Sequence, residues 1–156
     1  MKVISIGVTI VLLMSASPAL AGWEYAKWGM SPKQLVAASK GKAKLGNGES
    51  GDRVEREEVG ALGTYGNTDG QFTSIFYFRD NKLNQINLKM TGDDRDKRCE
   101  RMFSDFTTKY GEPDASSIEG VTSWKDYQGK NIVRLIHLGD MCNIHYEQSG
   151  AHNLSL

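Results

Sequence analysis

The chain has 156 residues, of which 39% are hydrophobic, and it carries 19 basic and 19 acidic side chains. This is the composition of a globular protein rather than of a disordered or collagen-like one, and the length favours a single domain. The balanced charge argues against a dedicated nucleic-acid-binding protein, which would carry a basic excess, so we expect no nucleic-acid partner.

Residues 1–21 have the pattern of a secretory signal peptide. Lys2 precedes an apolar run at 3–14, Pro18 ends the segment, and an A-x-A cleavage motif ends at Ala21. The run is shorter than the roughly 20 apolar residues that span a bilayer, and residue 22 is glycine rather than the cysteine of a lipoprotein. We therefore expect cleavage between Ala21 and Gly22 and an exported, soluble, periplasmic protein that neither spans the membrane nor carries a lipid.

Residues 22–90 predict the first half of the domain, a helix followed by three strands. Ser31 is followed by Pro32 and, three residues on, by Gln34, which is the capping box of a helix N-terminus. This helix is expected to end at Gly41. Apolar alternation and turn residues then indicate strands at 53–65, 72–78 and 83–90.

The turn at 79–82 sets the register of the two clear strands in this half. Counting outward from the turn places Phe78 opposite Leu83 and Ile75 opposite Ile86. With Ile75 on the helix-covered face, alternation predicts three aromatic side chains on the opposite, open face: Phe72, Phe76 and Phe78.

Residues 91–148 predict a second half of the same order. A helix begins at Asp93 or Asp94 and ends at Gly111, and its apolar residues recur at helical spacing: Cys99, Met102, Phe103, Phe106 and Tyr110. Strands are expected at 121–126, 131–138 and 141–148, and a loose tail at 149–156. Residues 22–148 are thus predicted to form one α+β domain of two αβββ-like halves, with both helices on one face of an antiparallel sheet.

A two-residue turn at Gly139 and Asp140 places the last two strands in register. Cys142 then points toward the helix whose apolar stripe carries Cys99. An even cysteine count in an exported chain favours a disulfide bond, so we predict a Cys99–Cys142 bond. The same register places these side chains on the open face: Ile132, Arg134, Ile136, Met141 and His145.

Three short segments resemble recurring features of small exported bacterial proteins of uncharacterised function: 28–32 (WGMSP), 110–113 (YGEP) and 78–83 (FRDNKL). The predicted architecture is similar to the β-lactamase-inhibitor-protein type and to the small lipoprotein of the outer-membrane assembly machinery, although the lipidated cysteine of the latter is missing. The resemblance implies binding of other proteins through sheet or loop surfaces.

Motifs for catalysis or cofactor binding are weak. The G-x-G-x-x-G pattern at 46–51 lacks the preceding strand and following helix of a dinucleotide site. His137 and His145 fall on opposite sheet faces, and His152 lies in the tail, so we expect no metal site. No G-x-S-x-G nucleophile motif occurs, and we predict no cofactor and no catalytic residues.

The open sheet face is the predicted functional site. An apolar patch with a polar rim is typical of an interaction surface. We therefore expect a non-catalytic binding protein that recognises a protein partner, or a second copy of itself, through this face. A small-ligand or lipid carrier is the alternative, which a deep apolar pocket would favour, and a hydrolytic enzyme with paired carboxylates is the third.

Overall fold

The computed structural model describes residues 20–46, 58–66, 70–116 and 118–150. Three predicted features lie wholly or largely outside these ranges: residues 1–19 of the signal peptide, most of the glycine-rich motif, and residues 151–156 of the tail. Within the described ranges, no helix is long and apolar enough to cross a membrane.

The described residues form an α+β fold of two helices and nine strands. The elements in chain order are β1 (Leu20–Trp23), β2 (Ala26–Lys27), α1 (Pro32–Ala38), β3 (Ala43–Leu45), β4 (Glu58–Gly66), β5 (Gln71–Arg79), β6 (Lys82–Thr91), α2 (Arg95–Tyr110), β7 (Val121–Asp126), β8 (Asn131–Leu138) and β9 (Met141–Gln148).

Seven strands form one antiparallel sheet in the order β3-β4-β5-β6-β9-β8-β7. Each half of the chain contributes a meander, and the two meanders meet where β6 pairs with β9. α1 packs on β3 and β4 at one end of the sheet, while α2 packs on β7, β8 and β9 at the other. The predicted α+β class and the antiparallel sheet with two helices are confirmed.

Local signals define both helices. The Ser31 hydroxyl accepts a hydrogen bond from the Gln34 backbone, and the Gln34 side chain accepts one from the Ser31 backbone, so the predicted capping box is present. α2 begins after Asp94, whose φ is 57° and whose side chain makes no capping hydrogen bond. It ends at Gly111, as predicted, with a φ of 90° that glycine adopts readily.

The prediction that Phe72, Phe76 and Phe78 lie on the open face is wrong. All three belong to the main hydrophobic core, on the side of the sheet that the helices cover, and Phe76 is completely buried. The residues of β5 that do lie on the opposite face are Ile75 and Tyr77, which form a small separate cluster with Val59.

A β-bulge in the first hairpin explains this error. Phe78 pairs with Leu83 as predicted, but Phe76 rather than Ile75 pairs with Ile86. β6 therefore has one residue more than β5 between these two pairs, and the extra residue reverses the side-chain parity beyond it. As a result the apolar face of β6 lies beside the phenylalanines, and one core forms from both.

Candidate interaction surface at the end of the second hairpin

The second hairpin has the predicted register. Leu138 pairs with Met141 across the turn, Arg134 pairs with His145, and His137 pairs with Cys142. The open face accordingly carries the five residues predicted for it in this half: Ile132, Arg134, Ile136, Met141 and His145. Four of these five are half-buried, and Met141 is exposed.

The centre of the open face is polar rather than aromatic. The Arg134 guanidinium donates to Glu147 in an ion pair, and His145 lies opposite Arg134, with Asn87 beside it on β6. Burial lowers the pKa of His145 below its ordinary value; Arg134 and Lys89 act in the same direction, whereas Glu147 opposes them. His145 is therefore neutral at neutral pH, and the face lacks the three phenylalanine anchors predicted for it.

The disulfide bond joins α2 to the sheet at the turn end of this hairpin. Cys99 and Cys142 are bonded, as predicted, with their Cα atoms 5.9 Å apart. Both residues are fully buried. Phe103 lies one helical turn after Cys99 on the helix-covered side, whereas Met141, which immediately precedes Cys142, points to the open face.

Four large apolar side chains are exposed around this end of the sheet, and we call them the hairpin-end patch: Phe103, Ile118, Leu138 and Met141. Their exposed fractions are 42%, 65%, 44% and 40% respectively. Phe103 lies on the helix-covered side and Leu138 and Met141 lie on the open face, so the patch surrounds this end of the sheet instead of sharing one face. A single exposed apolar residue is ordinary, whereas several at one end of a domain are typical of a contact surface.

Gly120 lies close to three members of the patch. Gly120 and Phe103 line the same cavity of about 270 Å³ between α2 and the β7–β8 edge. Leu138 lies so close to Gly120 that an added methyl group there would collide with it. Ile118 precedes Gly120 by two residues, and its carbonyl accepts a hydrogen bond from the Val121 backbone.

Charged groups border the patch. Arg95 at the start of α2 forms an ion pair with Asp140 in the hairpin turn, with a nitrogen–oxygen distance of 2.9 Å. Asp96 contacts the Nε2 atom of His137. An apolar centre with a polar, solvent-accessible rim is the arrangement found in protein–protein interfaces.

Sequence reasoning found Met141 for this surface and missed three other members. The sequence predicts Phe103 in the buried stripe of α2, but Phe103 is exposed at the edge of that stripe, with its ring 5.7 Å from that of Trp124 in an edge-on contact. Leu138 pairs with Met141 across the turn and shares its face, but only Met141 is part of the site predicted from the sequence. Ile118 lies in a loop with no periodicity, so only its apolar character in a polar segment could have indicated it.

Comparison with known proteins gives little further information. No family model matches the chain, and no curated protein matches it either. A crystal structure of a DUF4309 family protein from Bacillus subtilis is similar, with 13% sequence identity and a TM-score of 0.44, over 76% of this chain and 78% of that one. A likeness at this level transfers neither a family nor a function.

Proposed function

We propose that the protein is an exported, non-catalytic binding protein that recognises another protein through the hairpin-end patch. The observation that supports this is the grouping of four exposed, large apolar side chains around one end of the sheet. Removing such a group from water is the main favourable term in most protein associations.

The rigidity of the surface supports the same role. A docking surface that is already ordered loses little conformational entropy on binding. Here the disulfide bond fixes α2 against β9 at this end of the sheet, and the Arg95–Asp140 ion pair spans from the helix start to the hairpin turn. The partner surface should therefore be apolar at its centre, with polar groups that face this rim.

A pair of matched variants tests the proposal. Ile118→Ser combined with Leu138→Ser removes apolar surface from two exposed positions, so the fold should be retained. Tyr127→Ser is the control, because Tyr127 is 81% exposed but lies at the opposite end of β8. Proteins cross-linked to the wild type in a periplasmic extract should also be captured by the control, and capture by the double variant should fall about tenfold or more. Equal capture by all three proteins would refute the assignment of the surface.

A second copy of the chain is a distinct candidate for the partner. Sedimentation velocity over a range of concentrations tests it, since self-association through the patch should disappear in the double variant but persist in the Tyr127→Ser control.

Export is tested separately. If the signal peptide is cleaved at the A-x-A motif, mass spectrometry of protein recovered from the periplasm should show an N-terminus at Gly22. An intact Met1, or cleavage far from Ala21, would contradict this part of the proposal.

A further inference from the structure

A second, chemically different site lies on the helix-covered side of the sheet. It is a cleft of about 250 Å³ between α2, the N-terminal strand β1 and the sheet. This volume is just below the range of about 300–1,000 Å³ that is usual for pockets of drug-sized ligands. The cleft therefore suits a small molecule and is too small for a protein segment.

Aromatic side chains are the largest group among the residues that line the cleft. Five of the lining residues are aromatic: Trp23, Tyr65, Phe72, Phe106 and Tyr146. The rings of Trp23 and Tyr65 are 5.3 Å apart with planes inclined by 66°, and Tyr65 and Phe72 are 5.9 Å apart. The planes of the second pair are inclined by 36°, so in neither pair are the rings parallel. The face of an aromatic ring is negative, and several rings around one space attract a cation.

The charges at the cleft are not equivalent. Glu24 is paired with Lys42 at 3.0 Å, and the Lys109 ammonium lies 4.8 Å from the centre of the Tyr110 ring. Asp105 also lines the cleft and forms no ion pair with any residue that the structure describes. The carboxylate at this position is therefore available to a ligand.

The direction of α2 adds to this negative potential. Asp105 and Phe106 lie in the last third of the helix, which ends at Tyr110. The C-terminal end of a helix carries a partial negative charge and favours cations. Aromatic walls, the Asp105 carboxylate and the helix end all favour a positively charged ligand.

We propose that this cleft binds a small organic cation of the quaternary ammonium class, through cation–π contacts with its aromatic walls and the carboxylate of Asp105. Two positive groups oppose this preference. One is Lys109, and the other is the α-ammonium group that cleavage after Ala21 would create at Gly22, next to Trp23. The test therefore uses the exported, processed protein, in which both groups are present.

Three probes of similar shape separate charge from size: choline, its tert-butyl analogue in which carbon replaces the quaternary nitrogen, and the tert-butylacetate anion. Binding is measured by titration, with the indole N–H resonance of Trp23 as the reporter of the site. Choline should bind about tenfold more tightly than the neutral analogue, and the anion should bind weakest.

Asp105→Asn should weaken choline binding about three- to tenfold without changing binding of the neutral analogue. Glu100→Gln is the matched control, because Glu100 is exposed on the same helix and lines the other cavity. The proposal is overturned if choline leaves the Trp23 resonance unmoved, if the neutral analogue binds as tightly as choline, or if the anion binds best. Equal loss in the Asp105 and Glu100 variants would also overturn the assigned role of Asp105.

Discussion

Breaking the Cys99–Cys142 bond should destabilise the fold by about 4 kcal/mol. The two cysteines are 43 residues apart, and a bond that closes a loop of this length removes chain entropy from the unfolded state worth about 4 kcal/mol on the loop-closure model. For a chain of this size the loss corresponds to a fall in melting temperature of about 10–20 °C.

Urea unfolding of the oxidised protein and of the same protein in a reductant measures this difference. A double Cys99→Ala/Cys142→Ala variant is the control and should match the reduced protein closely. Alanine is preferred to serine because both positions are buried, and a serine hydroxyl there would lack a hydrogen-bonding partner. Identical unfolding midpoints with and without the bond would refute the reasoning, because helix packing alone would then hold α2 in place.

Reduction should also affect the hairpin-end patch below the melting temperature. Phe103 and Met141 are carried by the two elements that the bond joins, so their separation should vary once α2 is free to shift. Partner capture by the reduced protein should decrease while its circular dichroism spectrum remains native. Undiminished capture would show that the patch does not depend on the bond.

Three further predictions test the packing. Phe76→Ala should lower the free energy of unfolding by about 3–5 kcal/mol because the side chain is completely buried. Ile136→Ala, on the half-buried opposite face, should lower it by less than half as much in the same urea titration. Similar losses would contradict the assignment of the faces. Burial lowers the pKa of His145 in the folded protein. The folded state is therefore fully stable above the unfolded-state pKa of about 6.5 and loses stability as the pH falls from there toward the folded-state pKa. His145→Gln should reduce this loss of stability, and an unchanged dependence of stability on pH would exclude the mechanism. Gly120→Ala should destabilise the protein more than Gly139→Ala, since both have positive φ but only Gly120 has atoms in the way of a methyl group, and equal melting temperatures would contradict this.

The two hairpins show what sequence pattern can and cannot predict. The β8–β9 hairpin has a two-residue turn and no bulge, so counting outward from Gly139 and Asp140 identified every pair correctly. The β5–β6 hairpin also has a correctly predicted turn, but the bulge beyond it depends on tertiary packing. Burying three phenylalanines beside the apolar face of β6 is worth several kcal/mol, more than the local cost of one unpaired residue.

The functional surfaces were harder to predict than the fold because they combine residues that are distant in sequence. The cleft needs β1, β4, β5, β6, α2 and β9 to converge, and no periodicity within one element reports that convergence. The hairpin-end patch joins a helix, a loop and a turn for the same reason. By contrast, the disulfide bond follows from two separate periodicities, one in a helix and one in a strand, and each is visible within its own segment.

The width of the sheet relates the cleft to the N-terminal hairpin. The sheet has seven strands and is wider than two helices can cover, and α1 and α2 lie at its opposite ends. The β1–β2 hairpin covers the gap between them: the Trp23 ring lies 5.7 Å from that of Phe76, and the Trp28 indole donates a buried hydrogen bond of 2.9 Å to Asn131. The cleft is the space that remains where this hairpin meets α2. The expected cleavage site lies within β1, so Trp23 would become the second residue of the processed chain. Trp23 would then form one wall of the cleft, and removal of the first two residues of the processed chain would open the site.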